Sequence, residues 1–388
     1  MIYLDYNATT PLAPAVREAM LPFLDSIYGN PSSVHAAGRR ARAAIDNARD
    51  QVASVLRVKP NEIIFTSGGT ESANLAIQGL ARSHSARGRH IISDHTEHSA
   101  VRNTVEQLGR EGFSITWLNV SPDGLIDLDH LRNSLGPETA LVSIMAANNE
   151  TGVIQPLAEI SKICRERSVL LHSDMVQAFG KMEIDLSLVD AASFASHKFY
   201  GPKGAGILFL RSGLPIQSIM FGGSHENKRR PGTENVAAIV GLGEAAAKFS
   251  YNEKEGKREG RLRDRLWTGI KDAWPSAVLN GGGAPRLPNT LNFSFVGIDS
   301  GTLLIALDLE GICASSGSAC MVGSVTASHV LLAMGLSNER AATATRLSLG
   351  HPTTEEEIDA AIAVFSKLAR RWQDRLKPPE GHALAAAT

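Results

Sequence analysis

VLLHSDMVQ, residues 169–177, joins a short apolar run to a carboxylate and an amide, and this stretch decides the predicted fold. The run Val169–Ser173 is mostly apolar without alternation, which is typical of a strand covered on both faces. Asp174, at the carboxyl end of that strand, occupies the position at which α/β proteins bind their ligands. Considered alone, the same residue is more simply the N-cap of the next helix.

Similar short runs alternate with amphipathic stretches through most of the first part of the chain. The other predicted strands are Glu62–Thr66, His90–Ser93, Ser114–Val120, Ala140–Ala146 and Gly206–Leu210. The predicted helices between the strands are Thr70–Arg82, Ala100–Gly112, Leu128–Leu135 and Leu157–Ser168. Strand alternating with helix predicts an α/β domain with a mostly parallel sheet.

The character of the chain changes after about residue 250. A charged helix is predicted at Tyr251–Arg265, followed by a strand at Leu291–Val296 and a terminal helix around Glu355–Arg371. We therefore predict a large α/β domain over residues 13–250 and a smaller α+β domain from residues 1–12 and 251–376. The tail, residues 377–388, contains two prolines and an alanine run, and we expect it to be mobile.

The composition is that of a globular protein with a full core. Of the 388 residues, 43% are hydrophobic, and 39 basic residues against 40 acidic ones give a net charge of -1. This balance predicts neither nucleic acid nor an anionic membrane surface as a partner. The absence of a long apolar run, of a signal-peptide pattern and of a disulfide framework among three cysteines predicts a cytoplasmic protein.

A second motif, FTSGGTESAN at Phe65–Asn74, runs from a strand through a glycine turn into a helix. Such a turn presents backbone N–H groups and a hydroxyl at a helix N-terminus, where a phosphate group binds favourably. The motif matches neither the dinucleotide nor the nucleoside-triphosphate fingerprint, so those ligands are not predicted. On its own, a tight turn with a capped helix explains it more simply.

A third motif, SFASHKFYGPKGAG at Ser193–Gly206, contains Lys198 before a glycine-rich turn. A lone loop lysine is usually a solvated surface residue, but the three motifs together supply what pyridoxal phosphate needs. They offer an anion site, an acidic partner for the pyridine nitrogen and an amine for the aldehyde. His98 is able either to stack on the cofactor ring or to cap a helix. No metal site is predicted at His95 and His98, because no third ligand is apparent.

The chain resembles the cysteine desulfurases of the NifS/IscS type, class V aminotransferases with the pyridoxal phosphate (PLP)-dependent, aspartate-aminotransferase-like fold. The resemblance covers almost the whole chain and implies a large domain with a mostly parallel sheet and a smaller α+β domain. It rests on motifs in a specific order, each weak alone: YLDYNATTP (Tyr3–Pro11), YGNPSSVH (Tyr28–His35), TSGGTESANLA (Thr66–Ala76), TEH (Thr96–His98), NNETG (Asn148–Gly152), SHKFYGPKG (Ser196–Gly204), RPGTEN (Arg230–Asn235), ASSGSAC (Ala314–Cys320), RLSLG (Arg346–Gly350) and TTEEEID (Thr353–Asp359).

The resemblance implies a role at the cofactor for each matching residue. Lys198 matches the lysine that forms the Schiff base, and Asp174 matches the partner of the protonated pyridine nitrogen. His98 matches the residue that stacks on the ring and shuttles protons. Asn149 and Gln177 match the residues that bond to the phenolic oxygen of the cofactor. Contacts to its phosphate are matched by Gly69, Thr70 and His197.

Three more matches concern the partner subunit, the substrate and the nucleophile. Thr233 matches a phosphate contact that the family supplies from a second subunit, which implies a homodimer with shared sites. Arg346 matches the arginine that binds the substrate carboxylate, a role suited to its planar guanidinium, and Asn149 is also expected at the substrate. Cys320 matches the nucleophile that separates desulfurases from other members of the fold.

The sequence around Cys320 is rich in glycine, serine and alanine, so we expect a loop that can bring the thiolate to the cofactor. There it would take the sulfur of L-cysteine as a persulfide. Cys164 lies in a helical pattern and Cys313 follows an apolar strand, so both are interpreted as small buried hydrophobes.

A few positions depart from the family pattern. Ala195 stands where the family has a serine that binds phosphate, and Ser196 is the candidate substitute. Met175 replaces a smaller alanine. Near the nucleophile, Met321 replaces a small hydroxyl residue and Thr326–Ala327 replaces glutamate–proline. These last changes concern the choice of sulfur acceptor more than the reaction.

The resemblance therefore implies an L-cysteine desulfurase that yields L-alanine and a persulfide on Cys320. The sulfur would pass to an acceptor protein, either an iron–sulfur scaffold or another sulfur carrier. One alternative is another PLP enzyme of the fold, a selenocysteine lyase or an aminotransferase, which would not need Cys320. A second alternative is a non-catalytic platform that binds sulfur-transfer partners.

Overall fold

The computed structural model describes residues 1–295, 297–316 and 327–376, with no side chains for 373–376. In these ranges the strands are β1 (Ile2–Tyr3), β2 (Ile63–Thr66), β3 (His90–Asp94), β4 (Ser114–Leu118), β5 (Thr139–Ser143), β6 (Leu170–Asp174), β7 (Ala191–Ala195), β8 (Gly206–Leu210), β9 (Val278–Leu279), β10 (Thr290–Ser294), β11 (Ile312–Cys313) and β12 (Ala344–Ser348). The helices are α1 (Pro14–Leu24), α2 (Ala36–Leu56), α3 (Gly69–Ser83), α4 (Ser99–Arg110), α5 (Leu128–Ser134), α6 (Leu157–Glu166), the single turn α7 (His225–Lys228), α8 (Val236–Lys248), α9 (Glu253–Ala273), α10 (Ser300–Leu309), α11 (His329–Ala333), α12 (Asn338–Ala342) and α13 (Glu355–Leu376). None of the described helices has the length and apolar character that a membrane span requires.

A seven-stranded sheet in the order β2-β8-β7-β6-β5-β3-β4 forms the centre of the larger part. Neighbouring strands are parallel except around β8, which runs antiparallel to both β2 and β7. Consecutive residues of one strand enter different apolar clusters: Leu141 packs on one face of the sheet and Val142 on the other. Both faces are therefore covered, which explains why these strands are apolar without alternation. The predicted α/β fold with a mostly parallel sheet is confirmed.

Among the differences between the sequence predictions and the structure, two have a clear physical reason. Strand β7 was not predicted, because its sequence AASFA contains no β-branched residue and has little intrinsic preference for a strand. Its burial between β6 and β8 supplies the stabilisation that its composition does not. The charged segment predicted as a separate helix continues instead as one long helix, α9, whose buried face includes Leu262, Leu266 and Ile270.

A second apolar core belongs to the later part of the chain. The antiparallel sheet β12-β10-β9 packs with α9 and α13 through side chains such as Phe293 and Phe365. The beginning of the chain runs between the two cores, since Leu4 packs in this second core and Tyr6 in the first. The domain boundaries given above stay a prediction.

Candidate active site

A cavity of about 630 Å³ lies beside the carboxyl ends of the central strands. The predicted site residues that line it are Gly69, Thr70, His98, Asn149, Asp174, Gln177, His197, Lys198 and Arg346. Ser196 and Thr233 are not among the lining residues, and Cys320 lies outside the described residues. A second cavity, of about 660 Å³, contains none of the predicted site residues and is lined by Met175, Met182 and Leu186 among others. The unusual Met175 therefore faces away from the site.

Lys198 follows β7 in a short 3₁₀ turn, Ser196–Lys198, that directs its side chain into the cavity. Its Nζ donates hydrogen bonds to the backbone oxygens of Asn7, at 2.6 Å, and Ala8, at 2.9 Å. The amine is thus held by a segment almost two hundred residues earlier in the chain. Asn7 was not among the predicted site residues, although its motif was recognised.

Asp174 ends β6, and one of its carboxylate oxygens accepts the backbone N–H of Val176 at 2.9 Å. Burial raises the pKa of this carboxyl group, and the neighbouring His98 and Lys198 partly oppose that rise. A buried carboxylate becomes stable in its charged form when a cation lies beside it. The site therefore favours a ligand that presents a protonated nitrogen to Asp174.

His98 has the helix-capping role considered from the sequence, while its stacking on a cofactor ring stays a prediction. It is the N-cap of α4, where its Nδ1 accepts the backbone N–H of Ala100 at 3.1 Å, and it also lines the cavity. Burial lowers the pKa of the imidazole, and the charge of Lys198 lowers it further. A neutral ring with Nδ1 as acceptor carries its proton on Nε2.

The opposite side of the cavity offers an anion site at the first turn of α3, which begins at Gly69 and Thr70. The positive end of the helix dipole and its free N–H groups favour a phosphate there. The turn packs closely on β8: a Cβ at Gly206 would lie 2.6 Å from the backbone of Gly68. His197 borders this end, and burial lowers its pKa to about 4, so the ring is neutral.

The hydroxyl predicted to replace the missing serine at position 195 points elsewhere. Ser196 is fully buried, and its Oγ has no hydrogen-bond partner among the described residues. A Cβ at Gly201 would collide with this Oγ, so the hydroxyl lies under the following turn. Ala195 itself lines the cavity and brings a methyl group to that wall. Phosphate contact by Ser196 stays a prediction without support from its placement.

Gln177 and Asn149 lie on the wall between the lysine and the arginine. The Nε2 of Gln177 donates to the backbone oxygen of Asn7 at 3.0 Å, while its Oε1 accepts from Lys181 at 2.6 Å. These bonds fix the orientation of the amide and leave one N–H for a ligand. The side chain of Asn149 lines the cavity, and its backbone oxygen accepts from Arg346 at 3.0 Å.

Arg346, on β12, is the charged residue suited to an anionic substrate group. Only 2% of it is exposed, and its Nη2 forms an ion pair with Asp5 at 2.7 Å. Its Nε is buried and has no hydrogen-bond partner among the described residues. An unpaired buried donor is a costly arrangement, and the cavity beside Arg346 gives a carboxylate ligand access to its guanidinium group.

The described residues on both sides of the segment that contains Cys320 lie at the site. Ser315 pairs with Arg346 through two backbone hydrogen bonds, and Ala327 and His329 line the cavity. The other cysteines lie elsewhere: Cys164 is buried in α6, where burial raises the pKa of its thiol to about 12, and Cys313 is in β11. Neither lines the cavity.

Two anchors behind this site were not expected from the sequence. The Oγ of Ser328 donates to Glu150, and Nε2 of His329 lies 3.0 Å from the backbone oxygen of Glu97. They connect the start of α11 to the loops that carry Asn149 and His98. Each of the two residues is more than a hundred residues away from its own partner in the sequence, so no local pattern could have revealed these contacts.

The residues that meet in the cavity fit PLP. Lys198 would supply the amine for the aldehyde, Asp174 the partner for the pyridine nitrogen and the start of α3 the anion site for the phosphate. Arg346 remains for the carboxylate of an amino-acid substrate. Within the described part of the chain, no group of three or more histidine, cysteine, aspartate and glutamate residues is arranged to hold a metal ion.

Comparison with known proteins agrees with this chemistry. Residues 2–361 match the aminotransferase class-V family. The chain is 43% identical to a cysteine desulfurase IscS of Clostridium botulinum over 391 aligned positions, which cover 98% of each chain. It is 47% identical to a cysteine desulfurase IscS of Salmonella schwarzengrund, covering 96% of this chain and 94% of that one. A solved NifS-like protein superposes with a TM-score of 0.89 at 38% identity, covering 95% of this chain and 99% of the other.

Proposed function

Since the chain belongs to the aminotransferase class-V family and is a PLP-dependent cysteine desulfurase, we propose that the 630 Å³ cavity binds the cofactor and L-cysteine together. The main support for this proposal is that one cavity is lined by Lys198, Asp174, the start of α3 and Arg346. These groups come from three distant parts of the sequence, around residues 69–70, 174–198 and 346. An α/β protein with only a structural role would not need a half-buried lysine, a buried aspartate and a buried arginine around an open volume.

In this proposal Lys198 holds the cofactor covalently and Asp174 pairs with its ring nitrogen. The bound cofactor supplies an electron sink for the charge that develops at the α-carbon of the substrate. Arg346 holds the substrate carboxylate through its guanidinium group, which lines the same cavity. Lys198 and His98 exchange protons with the substrate, and the neutral His98 keeps its Nε2 proton available for donation.

Cys320 is the proposed sulfur acceptor within the chain. Its thiolate attacks the sulfur of L-cysteine, so that an S–S bond forms while the C–S bond breaks. The electron pair of the C–S bond stays with the carbon, which takes up a proton and becomes the methyl group of L-alanine. The sulfur then remains on Cys320 as a persulfide. The position of Ser315, Ala327 and His329 at the cavity supports this role.

We further propose a homodimer in which Thr233 reaches the phosphate site of the partner subunit. Thr233 is exposed and does not line the cavity of its own chain, as expected of a residue that serves the other subunit. The persulfide sulfur would pass to an iron–sulfur scaffold or a similar carrier, a proposal that rests on the similarity to IscS-type cysteine desulfurases. The cytoplasm is the proposed location, because a nucleophilic thiol needs a reducing compartment.

The products formed from L-cysteine test the role of Cys320. We expect the wild-type protein with a reductant to release alanine and sulfide in equal amounts. Cys320→Ala should lose at least about a hundredfold of the rate while keeping the near-visible absorption of bound cofactor, because only the nucleophile is missing. Cys313→Ala, which removes a thiol of β11 outside the cavity, is the matched control and should keep the activity.

The outcome that would contradict the proposal is alanine formation by Cys320→Ala at the wild-type rate. The same variants with L-selenocysteine test the alternative substrate. A selenocysteine lyase would release selenium without Cys320, so preserved turnover of selenocysteine together with negligible turnover of cysteine by the wild type would favour that enzyme.

A further inference from the structure

A second lysine, Lys181, bonds to the same residue, Asn7, as Lys198 but does not line the 630 Å³ cavity. It follows the turn that contains Gln177, and its Nζ donates to Gln177 Oε1 at 2.6 Å and to Asn7 Oδ1 at 3.0 Å. Part of its side chain is accessible, but the ammonium group itself is deeply buried. A buried ammonium is expensive to maintain and is usually associated with a function.

Asn7 connects the two lysines. Its side-chain oxygen accepts from Lys181, while its backbone oxygen accepts from Lys198 at 2.6 Å and from Gln177 at 3.0 Å. Asn7 is 1% exposed, and its own amide donates to Thr290 and Asn149. Because every polar group of Asn7 is engaged, the two amines are held at fixed positions on one residue.

A chamber of about 20 Å³ separates Lys181 from a buried carboxyl group, Glu259 of α9. Its walls include Tyr6, Tyr200 and Asn289, and a volume of this size with polar walls accommodates one water molecule. Burial raises the pKa of Glu259 to about 7, and burial together with the charge of Lys198 lowers the pKa of Lys181 to about 7. Below about pH 7 Lys181 therefore carries its positive charge while Glu259 is protonated and neutral, so the carboxyl group does not cancel the charge of the ammonium.

We propose that Lys181 is an electrostatic positioning residue for Lys198: its ammonium, held by Asn7 and Gln177, disfavours a second positive charge on the Lys198 nitrogen. The cofactor-linked nitrogen consequently releases its proton at a lower pH than it would beside a neutral residue. This inference rests on the proposed role of Lys198 as the lysine that binds PLP. It assigns a function to a buried cation that touches neither the cavity nor the substrate.

Several other charged or titratable groups surround the two lysines. Lys198 faces His98 at the start of α4, Asp174 at the end of β6 and its neighbour His197. Both histidines are kept neutral by burial, and Asp174 acts in the opposite direction from Lys181. Lys181 faces Arg346 as well, and Glu259 faces Glu255 and Arg258 of its own helix.

The test follows the near-visible absorption of the holoenzyme as a function of pH. Lys181→Met removes the charge with little change in volume, and the midpoint of the titration should rise by about one pH unit. Lys181→Gln removes the charge but keeps a hydrogen-bond donor near Asn7, and it should give a similar rise. Lys203→Met is the matched control, because Lys203 is an exposed lysine near His197 whose charge is screened by solvent. Its midpoint should stay within about 0.2 units of the wild type.

Each result decides between definite alternatives. An unchanged midpoint in both folded Lys181 variants would overturn the inference while leaving the role of Lys198 intact. A rise with Lys181→Met but none with Lys181→Gln would also overturn it, because the hydrogen bond rather than the charge would then be responsible. A wild-type protein that binds PLP without a titrating band would overturn the proposed role of Lys198, and this inference with it.

Discussion

Arg346 illustrates how a single side chain is prepared for a ligand before the ligand arrives. Asp5 and the backbone of Asn149 hold its two terminal nitrogens, so the guanidinium plane is fixed. The remaining Nε has no hydrogen-bond partner in the part of the chain that the structure describes. The side chain therefore has little rotational freedom left to lose when a carboxylate binds.

Replacing Arg346 with lysine tests this arrangement. Arg346→Lys keeps the positive charge but removes the planar fork, so the KM for L-cysteine should rise about 10- to 100-fold, equivalent to about 1.4 to 2.7 kcal/mol. Steady-state kinetics with the holoenzyme measure the change. Arg340→Lys, in α12 and bonded to Asn280, is the control and should leave the KM unchanged. An unaltered KM in Arg346→Lys would mean that the substrate carboxylate binds elsewhere.

The elements that hold the site are joined by buried polar side chains as well as by apolar packing. His172, in β6, lies between Ser143 of β5 and Ser193 of β7, with ring nitrogens 2.8 and 2.9 Å from the two hydroxyls. Burial lowers the pKa of this histidine to about 3. The three strands whose ends carry the cofactor residues are thus linked through a neutral imidazole.

This link makes stability depend on pH in a definite direction. The folded pKa of about 3 lies below the unfolded value of about 6.5, so the unfolded chain binds the proton more readily. The contribution of His172 is fully present above about pH 6.5 and is lost as the pH falls toward 3. Between pH 6.5 and 5 the wild type should therefore lose about 2 kcal/mol more unfolding free energy than His172→Gln.

Urea unfolding at a series of pH values measures this difference. His130→Gln, which changes a histidine at the surface of α5, serves as the control and should follow the wild-type curve. If His172→Gln and the wild type lose stability in parallel, the imidazole is not the group responsible.

Sequence patterns predicted those strands of the central sheet whose own residues favour a buried strand. Strand β8 was predicted with its observed bounds, because GILFL is apolar and bounded by glycine and polar residues. Strand β7 was missed because neighbouring strands, and not its own residues, stabilise it. Lys198 and Asp174 were recognised as candidates because they occur in motifs, and both line the cavity. Lys181 was missed because its role depends on a contact with Asn7, 174 residues away, that no local pattern encodes.

At the scale of the whole molecule, one surface is unusually apolar and lies near the segment that carries Thr233. Phe221 is 90% exposed, and Tyr28 and Val34 are 85% and 88% exposed. Ser32 and His225 lie 3.4 Å apart and bring these two segments together. Exposed apolar side chains in one region are typical of a protein–protein interface. The segment that contains Phe221 and His225 is held to α2 by an ion pair between Arg49 and Glu226, at 2.6 Å.

We expect this surface to form the homodimer. Phe221→Glu should convert the dimer to a monomer, because a charge cannot be buried there without a partner. Loss of Thr233 from the partner's site should at the same time weaken PLP binding by about tenfold or more. Light scattering with size-exclusion chromatography and cofactor titration measure the two effects. Leu24→Glu, an exposed apolar residue at the end of α1, is the comparison variant, and a wild type that is monomeric with full PLP affinity would contradict the proposal.

The position of Asn7 in the chain has a consequence for how the enzyme matures in the cell. Asn7 is translated early, yet its amide bonds to Thr290 and its backbone to Ser348, which is made 341 residues later. At roughly 5 to 20 residues per second, the ribosome needs tens of seconds to span that distance. Asn7 can support Lys198 only when synthesis has passed β12. We therefore expect the chain to capture PLP only late in translation or after it, once β12 has been made.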